Sequence, residues 1–319
     1  MERRPGFFPD CDSVDGLGDG PTLGARSMKP DTINQTLSLR DGRKLGFAEY
    51  GPQDGKPVIH FNGSGCSRLE RPPQVEILDV LGIRFISTDR PGHGLSDPHD
   101  NRTLSDWTND VAELADHLGF DKFYVEGWSG GGPYALACAH DLKDRVIAGA
   151  SLSGLAPYER PNPYKGLSGQ IRVWMFLCRC FPKGVTPFRK MIYNSLQKMQ
   201  PGQLGEMMSK NGPEPDQKAM ASPDAQQMMD ANIREGYRQG WEGPVQDDLV
   251  LNSPWPFELE SIQTRIDIWQ GSEDVNVPVN QGQYLHSRLP NSTLHVLEGE
   301  AHIFPLSHWR EILETLTQP

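Results

Sequence analysis

Hydrophobic and polar positions along the chain form short apolar runs that alternate with amphipathic stretches. Runs such as Ile83 to Thr88 and Val146 to Leu152 are typical of buried strands, and between the runs apolar residues recur at helical spacing. An Asp41-Gly42 turn between Ile33 to Leu39 and Lys44 to Tyr50 indicates an antiparallel hairpin at the start. This order predicts an α/β fold with a mostly parallel eight-stranded sheet and helices on both faces.

The alternation stops between residues 154 and 254, a stretch rich in Pro, Gly, Met and Gln with helical patterns and no strand pattern. We expect this stretch to be a helical lid inserted into a core formed by residues 32–153 and 255–319. Residues 1–31 break into Pro, Gly and Asp without a continuous apolar stretch. They are predicted to be a flexible N-terminal tail and not a signal peptide.

Composition and charge exclude several classes of function. The 319 residues include 31 Lys and Arg against 42 Asp and Glu, and the net charge of −11 argues against binding to a nucleic-acid backbone. The five cysteines are irregularly spaced, and Cys178-x-Cys180 lacks a second Cys/His pair, so neither disulfides nor a metal site is expected. No apolar run reaches the roughly 18 residues of a membrane span, which predicts a cytoplasmic protein without stable membrane insertion. The oligomeric state stays open.

The strongest candidate for chemistry is the turn Gly127-Trp128-Ser129-Gly130-Gly131. It follows the strand-like run Phe123 to Val125 and precedes the helix-favouring run Tyr134 to Ala139. A strand, a sharp turn and a helix around Gly-x-Ser-x-Gly form a nucleophile elbow, which presents a serine hydroxyl at a helix N-terminus. Ser129 is therefore the predicted nucleophile. Such a turn can also serve close packing or phosphate binding, but no lysine follows the glycines as a phosphate-binding loop requires.

A serine nucleophile needs a base and an acid, which in this type of fold follow later strands in the chain order Ser, Asp or Glu, His. Ser272-Glu273-Asp274 and Glu300-Ala301-His302 each come shortly after a strand pattern. We predict Asp274, and not Glu273, as the acid. His302 is the predicted base, because the other histidines fall in strands, helices, turns or a polar loop. Asn62-Gly63-Ser64-Gly65 follows a further strand pattern, where free backbone amides can form an oxyanion hole.

Together these motifs resemble the α/β-hydrolase superfamily, in particular its lidded branch similar to proline iminopeptidases and epoxide hydrolases. The resemblance covers nearly everything after Ile33, and its motifs are Phe61 to Arg68, Asp89 to Asp97, Gly127 to Pro133, Gly271-x-x-Asp274 and Gly299-x-x-His302. It implies that the Ser64 and Gly130 amides form the oxyanion hole. The family usually has His-Gly-x-Pro-Gly in this loop. Here Asn62 replaces the histidine and Gly65-Cys66 replaces Pro-Gly, which implies a different shape of the loop. Arg90 and His93 are interpreted as pinning the turn after their strand.

The predicted activity is serine hydrolysis through an acyl-enzyme, and this chemistry requires no metal and no organic cofactor. The predicted substrate is a small to medium, largely apolar carboxylic ester. Trp128, Trp174 and Met208 are the predicted substrate contacts. Ser129 excludes the ester-forming chemistry of relatives whose nucleophile is an aspartate.

Other functions stay open at this stage. One is a proline-iminopeptidase-like amidase, in which acidic lid residues would hold the substrate ammonium. The candidates for that role are Glu206, Glu214, Glu235 and Glu242. Another is a carbon–carbon bond hydrolase or lyase in a biosynthetic pathway. A non-catalytic ligand-binding protein is the least consistent with an intact triad.

Overall fold

The structure is a computed structural model that describes residues 32–318. These residues contain one sheet of eight strands, as the hydrophobic pattern predicts. The strands are β1 Gln35–Ser38, β2 Lys44–Tyr50, β3 Lys56–Phe61, β4 Ile83–Thr88, β5 Phe123–Trp128, β6 Val146–Leu152, β7 Arg265–Gly271 and β8 Ser292–Leu297. The predicted N-terminal tail lies outside the described residues.

The strands lie in the order β1-β2-β4-β3-β5-β6-β7-β8. Strand β2 runs antiparallel to β1 and β4, and every other neighbouring pair is parallel. The predicted hairpin therefore forms, with Gln35 opposite Phe47. Because the other strands are parallel, the loops after β3, β5, β7 and β8 all leave the sheet at the same edge.

Five helices cover the two faces of the sheet. They are α1 Glu76–Leu81, α2 Leu104–His117, α3 Gly132–Asp141, α10 Val279–Arg288 and α11 Pro305–Leu316. Side chains of α2, α3 and α10 pack on the face that holds Ile59 and Val125. Side chains of α1 and α11 pack on the opposite face, which holds Val58 and Tyr124, since successive strand residues point to opposite sides.

Between β6 and β7 the described chain forms six α-helices. They are α4 Gly169–Cys180, α5 Pro182–Lys198, α6 Gln203–Lys210, α7 Glu214–Ala219, α8 Pro223–Gly236 and α9 Glu242–Leu251. Buried polar contacts attach this α4–α9 segment to the rest of the protein. Asn232 of α8 donates to Glu70 at 3.0 Å, and Asp247 of α9 pairs with Arg90 at 2.8 Å. Across residues 32–318, no helix has the length and apolar character that a bilayer span requires.

Candidate active site

Strand β5 ends at Trp128, and the chain passes through a single 3-10 turn, Ser129–Gly131, into α3. Ser129 has a φ of +54°, a left-handed conformation that costs a non-glycine residue about 1–2 kcal/mol. The turn also brings backbone segments very close together, since a Cβ on Gly131 would overlap the carbonyl oxygen of Phe61. This strained turn places the Ser129 hydroxyl above the carboxyl edge of the sheet.

The Ser129 hydroxyl lies next to His302, with Oγ and Nε2 3.1 Å apart. On the other side of the imidazole, Nδ1 of His302 lies 2.8 Å from Oδ2 of Asp274. The three residues follow β5, β8 and β7, whose carboxyl ends meet at one edge of the sheet. The structure thus brings together the residues that the sequence predicts as nucleophile, base and acid.

Asp274 is held by several hydrogen bonds that the sequence does not indicate. Its Oδ1 accepts the backbone N–H groups of Asn276 and Val277, both at 2.8 Å. Its Oδ2 accepts the hydroxyl of Ser153 at 2.8 Å in addition to facing the imidazole. These donors fix the orientation of the buried carboxylate and compensate its charge. The neighbouring Glu273 is exposed to solvent, so Asp274 is the carboxylate that faces the imidazole.

The charge around His302 favours its protonated form. Burial alone would lower the pKa of His302, but the carboxylates of Asp274, Asp216 and Glu70 outweigh burial and raise that pKa above its ordinary value. Asp216 belongs to α7, is buried, and accepts the backbone N–H of Ile303 at 2.7 Å. Burial raises the pKa of Asp216 itself. The α4–α9 segment therefore supplies a carboxylate that holds the loop after His302, a contact no local sequence signal reveals.

The loop after β3 lies beside the elbow. A Cβ on Gly130 would stand 3.2 Å from the backbone nitrogen of Ser64, so the two backbones are adjacent. The amide of Gly63 is already engaged, because it donates to Oε1 of Glu70 at 3.0 Å. Among residues 32–318, the Ser64 amide donates no hydrogen bond. The Ser64 amide is therefore available to a ligand atom next to Ser129.

Buried side chains hold this loop in place. The Arg90 guanidinium donates to the carbonyl oxygens of Asn62 and Gly63, the second at 2.8 Å, and pairs with Asp247 of α9. The side chain of Asn62 donates to the carbonyl oxygen of Thr88 at 2.6 Å. The hydrogen bonds of the Arg90 side chain thus go to the loop after β3 and to the α4–α9 segment, which it links, and not to its own turn.

A cavity of about 290 Å³ opens beside the Ser129 hydroxyl. Most of its wall is apolar and comes from the loop after β6 and from α4 and α9, through side chains such as Leu155, Ile171, Trp174, Met175 and Leu251. The wall also contains one ion pair, in which Arg189 of α5 donates two hydrogen bonds to the carboxylate of Asp248.

Residues 56–308 match the family model described as the alpha/beta hydrolase fold. The chain belongs to this family. The α/β-hydrolase relatives include a non-heme chloroperoxidase from Streptomyces lividans, 30% identical over 124 residues, which are 38% of this chain and 45% of the relative. A proline iminopeptidase from Xanthomonas citri is 35% identical over 113 residues, which are 33% of this chain and 34% of the relative. The chain therefore matches less than half the length of either relative.

Solved α/β-hydrolase structures match over a much longer range. An esterase from Exiguobacterium antarcticum superposes with a TM-score of 0.63 at 20% identity, and the match covers 89% of this chain and 98% of that one. At this identity the likeness shows the shared fold, which extends over nearly the whole chain.

Of the three predicted substrate contacts of this α/β hydrolase, one lines the cavity and two do not. Trp174 lines the cavity, as expected. Trp128 is buried outside the cavity lining, and its indole N–H donates to the carbonyl oxygen of His302 at 3.1 Å. Met208 also lies outside the lining and packs against the cluster of Leu196, Leu204 and Tyr237 in the α4–α9 segment. The structure thus places both side chains outside the cavity lining, because an apolar sequence pattern does not reveal which neighbour covers a side chain. Met175 is the methionine that lines the cavity.

The position of Asp216 leads to a prediction about pH. Asp216→Asn should move the acid limb of the kcat/KM profile to lower pH. The Asn side chain can still accept the Ile303 N–H, but the negative charge that favours protonated His302 is gone. The pKa of His302 falls as a result, and the neutral base persists at lower pH.

The measurement is the pH dependence of hydrolysis by wild type, Asp216→Asn and Glu214→Gln. Glu214 is the matched control, since it lies on the same helix, is exposed and pairs with Lys218 at 2.8 Å. An unchanged acid limb in Asp216→Asn, or a shift to higher pH, would show that Asp216 does not act on His302.

Proposed function

We propose that the protein is a serine hydrolase in which Ser129 is the nucleophile, His302 the general base and Asp274 the acid that orients His302. The observation that carries the proposal is the unbroken chain of contacts from Ser129 Oγ to His302 Nε2 at 3.1 Å and from His302 Nδ1 to Asp274 at 2.8 Å. A serine hydroxyl is a weak nucleophile until a positioned base removes its proton. The arrangement supplies that base and holds its tautomer.

In the proposed acylation step, Ser129 Oγ attacks the substrate carbonyl carbon while Nε2 of His302 takes the hydroxyl proton. The backbone amides of Ser64 and Gly130 donate to the oxyanion that forms, and Asp274 stabilises the imidazolium. His302 then returns the proton to the leaving alkoxide, which departs as an alcohol and leaves acyl-Ser129. A water molecule, activated by His302 in the same way, hydrolyses the acyl-enzyme and restores the serine.

We further propose that the substrate is a small to medium, largely apolar carboxylic ester. The cavity is small, and its wall is mostly apolar apart from the Arg189–Asp248 pair and a few hydroxyl and amide groups. Burial of an apolar acyl chain in such a wall contributes about 25 cal/mol per Å² removed from water. In this proposal residues 154–254 act as a lid on a core of residues 32–153 and 255–319, since α4, α5 and α9 supply much of the wall.

An aminopeptidase, the activity in the names of four relatives, is the second candidate. Its substrate carries a free ammonium group, which needs an unpaired carboxylate in the cavity. The acidic side chain of the cavity lining, Asp248, is already neutralised by Arg189. Two of the glutamates considered from the sequence, Glu206 and Glu214, are exposed and pair with lysines. The other two also lie outside the lining, so the cavity favours a neutral ester.

Two anilides with the same leaving group distinguish these substrate classes. Butyryl p-nitroanilide and prolyl p-nitroanilide differ in the acyl group, and only the second carries an ammonium. We expect the butyryl compound to be the better of the two, and p-nitrophenyl butyrate to be far better than either. A prolyl anilide that exceeds the butyryl anilide in kcat/KM would overturn the ester proposal in favour of an aminopeptidase.

The cavity wall predicts a change in chain-length selectivity. Trp174→Ala should shift the preference towards longer acyl chains, by about fourfold in kcat/KM for each methylene that enters the vacated space. Met208→Ala, a truncation outside the cavity in the same segment, is the matched control and should keep the wild-type order. The measurement is kcat/KM across p-nitrophenyl esters of increasing acyl length. Identical selectivity in all three proteins would show that Trp174 does not bound the acyl site.

A further inference from the structure

Helices α4 and α5 lie in a basic part of an otherwise acidic chain. Between Arg160 and Gly205 the sequence has eight Lys and Arg and no Asp or Glu, although the whole chain has a net charge of −11. Two of the eight are buried. The exposed ones are Lys165, Arg172, Arg179, Lys183, Lys190 and Lys198. Within residues 32–318, only one of these six basic side chains pairs with a carboxylate: Arg179 lies 3.3 Å from Glu159.

The same two helices and the residue that joins them also expose large apolar side chains. Each of the five is at least 42% exposed, and they are Val173, Phe176, Phe181, Phe188 and Met191. They make up half of the large apolar side chains that the described chain exposes. We call these five, together with the exposed basic residues from Arg172 to Lys198, the basic apolar surface.

Side-chain contacts link the two helices that carry the basic apolar surface. On α4, Arg172, Val173, Phe176 and Arg179 are spaced so that they share one helix face. The ring of Phe176 lies 6.2 Å from that of Phe181, which links α4 to the start of α5. On the cavity side, Phe188 packs against Trp174 with ring centroids 4.7 Å apart, so the surface borders the cavity wall.

We propose that the basic apolar surface docks the protein on an anionic lipid bilayer. Lysines with no carboxylate partner, interleaved with exposed phenylalanines, match the boundary between phosphate headgroups and acyl chains. The long stems of Lys and Arg let their charged ends reach the headgroups while the aromatic rings leave water. An acidic protein partner would satisfy the charge alone. It would not account for so much exposed apolar area along the same helices.

The charge of the rest of the molecule supports one orientation on the bilayer. Outside the basic apolar surface the chain has a large net negative charge, which disfavours approach to an anionic surface through the rest of the molecule. Docking would then place α4 and α5 towards the lipid. The inference does not depend on the reaction that the cavity supports.

Sedimentation with vesicles tests the inference on the full-length protein. We expect binding to phosphatidylcholine vesicles that contain phosphatidylserine, much weaker binding to phosphatidylcholine alone, and loss of binding as salt screens the charges. The double variant Lys183→Gln, Lys190→Gln should bind the anionic vesicles more weakly by about fivefold for each lysine removed. The matched control is Lys122→Gln, Lys143→Gln, which removes the same charge from exposed positions outside this surface and should bind like wild type.

A second pair of substitutions tests the apolar part. Phe176→Ser, Phe181→Ser should weaken vesicle binding, while thermal unfolding near the wild-type temperature shows that the protein is folded. Absence of binding to anionic vesicles at low salt would overturn the inference. So would equal binding by the two lysine variants, or self-association of the wild type through this surface without any affinity for vesicles.

Discussion

Asp274→Asn should lower kcat by about 10⁴, the loss expected when the base is held in the wrong tautomer. Oδ1 of Asp274 accepts two backbone N–H groups, from Asn276 and Val277, so the oxygen of an Asn side chain would take that position. Its NH₂ group would then face Nδ1 of His302, now 2.8 Å from Oδ2. A donor there requires Nδ1 to accept, which puts the ring proton on Nε2. That nitrogen can then no longer take the proton of Ser129.

Glu273→Gln is the matched control for this experiment. It makes the same chemical change one residue earlier, at a side chain exposed to solvent. Steady-state kinetics with one ester should show a rate close to wild type for Glu273→Gln, and thermal unfolding should show that both variants are folded. If Glu273→Gln lost activity and Asp274→Asn kept it, the acid would be wrongly assigned.

Ser129→Ala should lower kcat/KM by at least about 10³ and leave the fold intact. Alanine keeps the Cβ, so the strained backbone at a φ of +54° carries the same substituent as before. The variant loses the hydroxyl that faces His302 and nothing that packs the turn. Thermal unfolding near the wild-type temperature together with loss of turnover is the expected result.

Ser153→Ala is a useful comparison. Ser153 also follows a strand and has a positive φ of +44°, but its hydroxyl donates to Asp274 and does not face the imidazole edge that Ser129 occupies. Its removal should slow the reaction far less than removal of the Ser129 hydroxyl. Near-normal kcat/KM in Ser129→Ala would refute a serine nucleophile.

Much of the sheet was predictable because buried parallel strands are short, continuous apolar runs. The predicted bounds of β4 and β6 agree with the structure to the residue. The α4–α9 segment was less predictable. The sequence indicated helices there without their bounds, and α5 contains Pro187 although proline normally interrupts a helix.

The meeting of Asp274 and His302 at Ser129 was predictable because each of the three lies just after a strand pattern. The carboxyl ends of parallel strands lie at one edge of a sheet, so the loops that follow them come together. Their supporting contacts were not predictable. Asp216 reaches Ile303 across 87 positions of sequence, and Arg189 reaches Asp248 across 59. Such pairs depend on how the α4–α9 segment folds back on the sheet. The position of Met208 outside the cavity lining was not predictable for the same reason, since its apolar neighbours are set by that folding.

The most direct test of a serine nucleophile is labelling by a fluorophosphonate, followed by peptide mapping with mass spectrometry. The reagent reacts with a serine hydroxyl that a neighbouring base has activated. We expect one label per wild-type molecule, located on Ser129, and none on Ser129→Ala or on heat-unfolded protein. Failure of the folded wild type to react, or a label on Ser64 or Ser153 that persists in Ser129→Ala, would contradict the account.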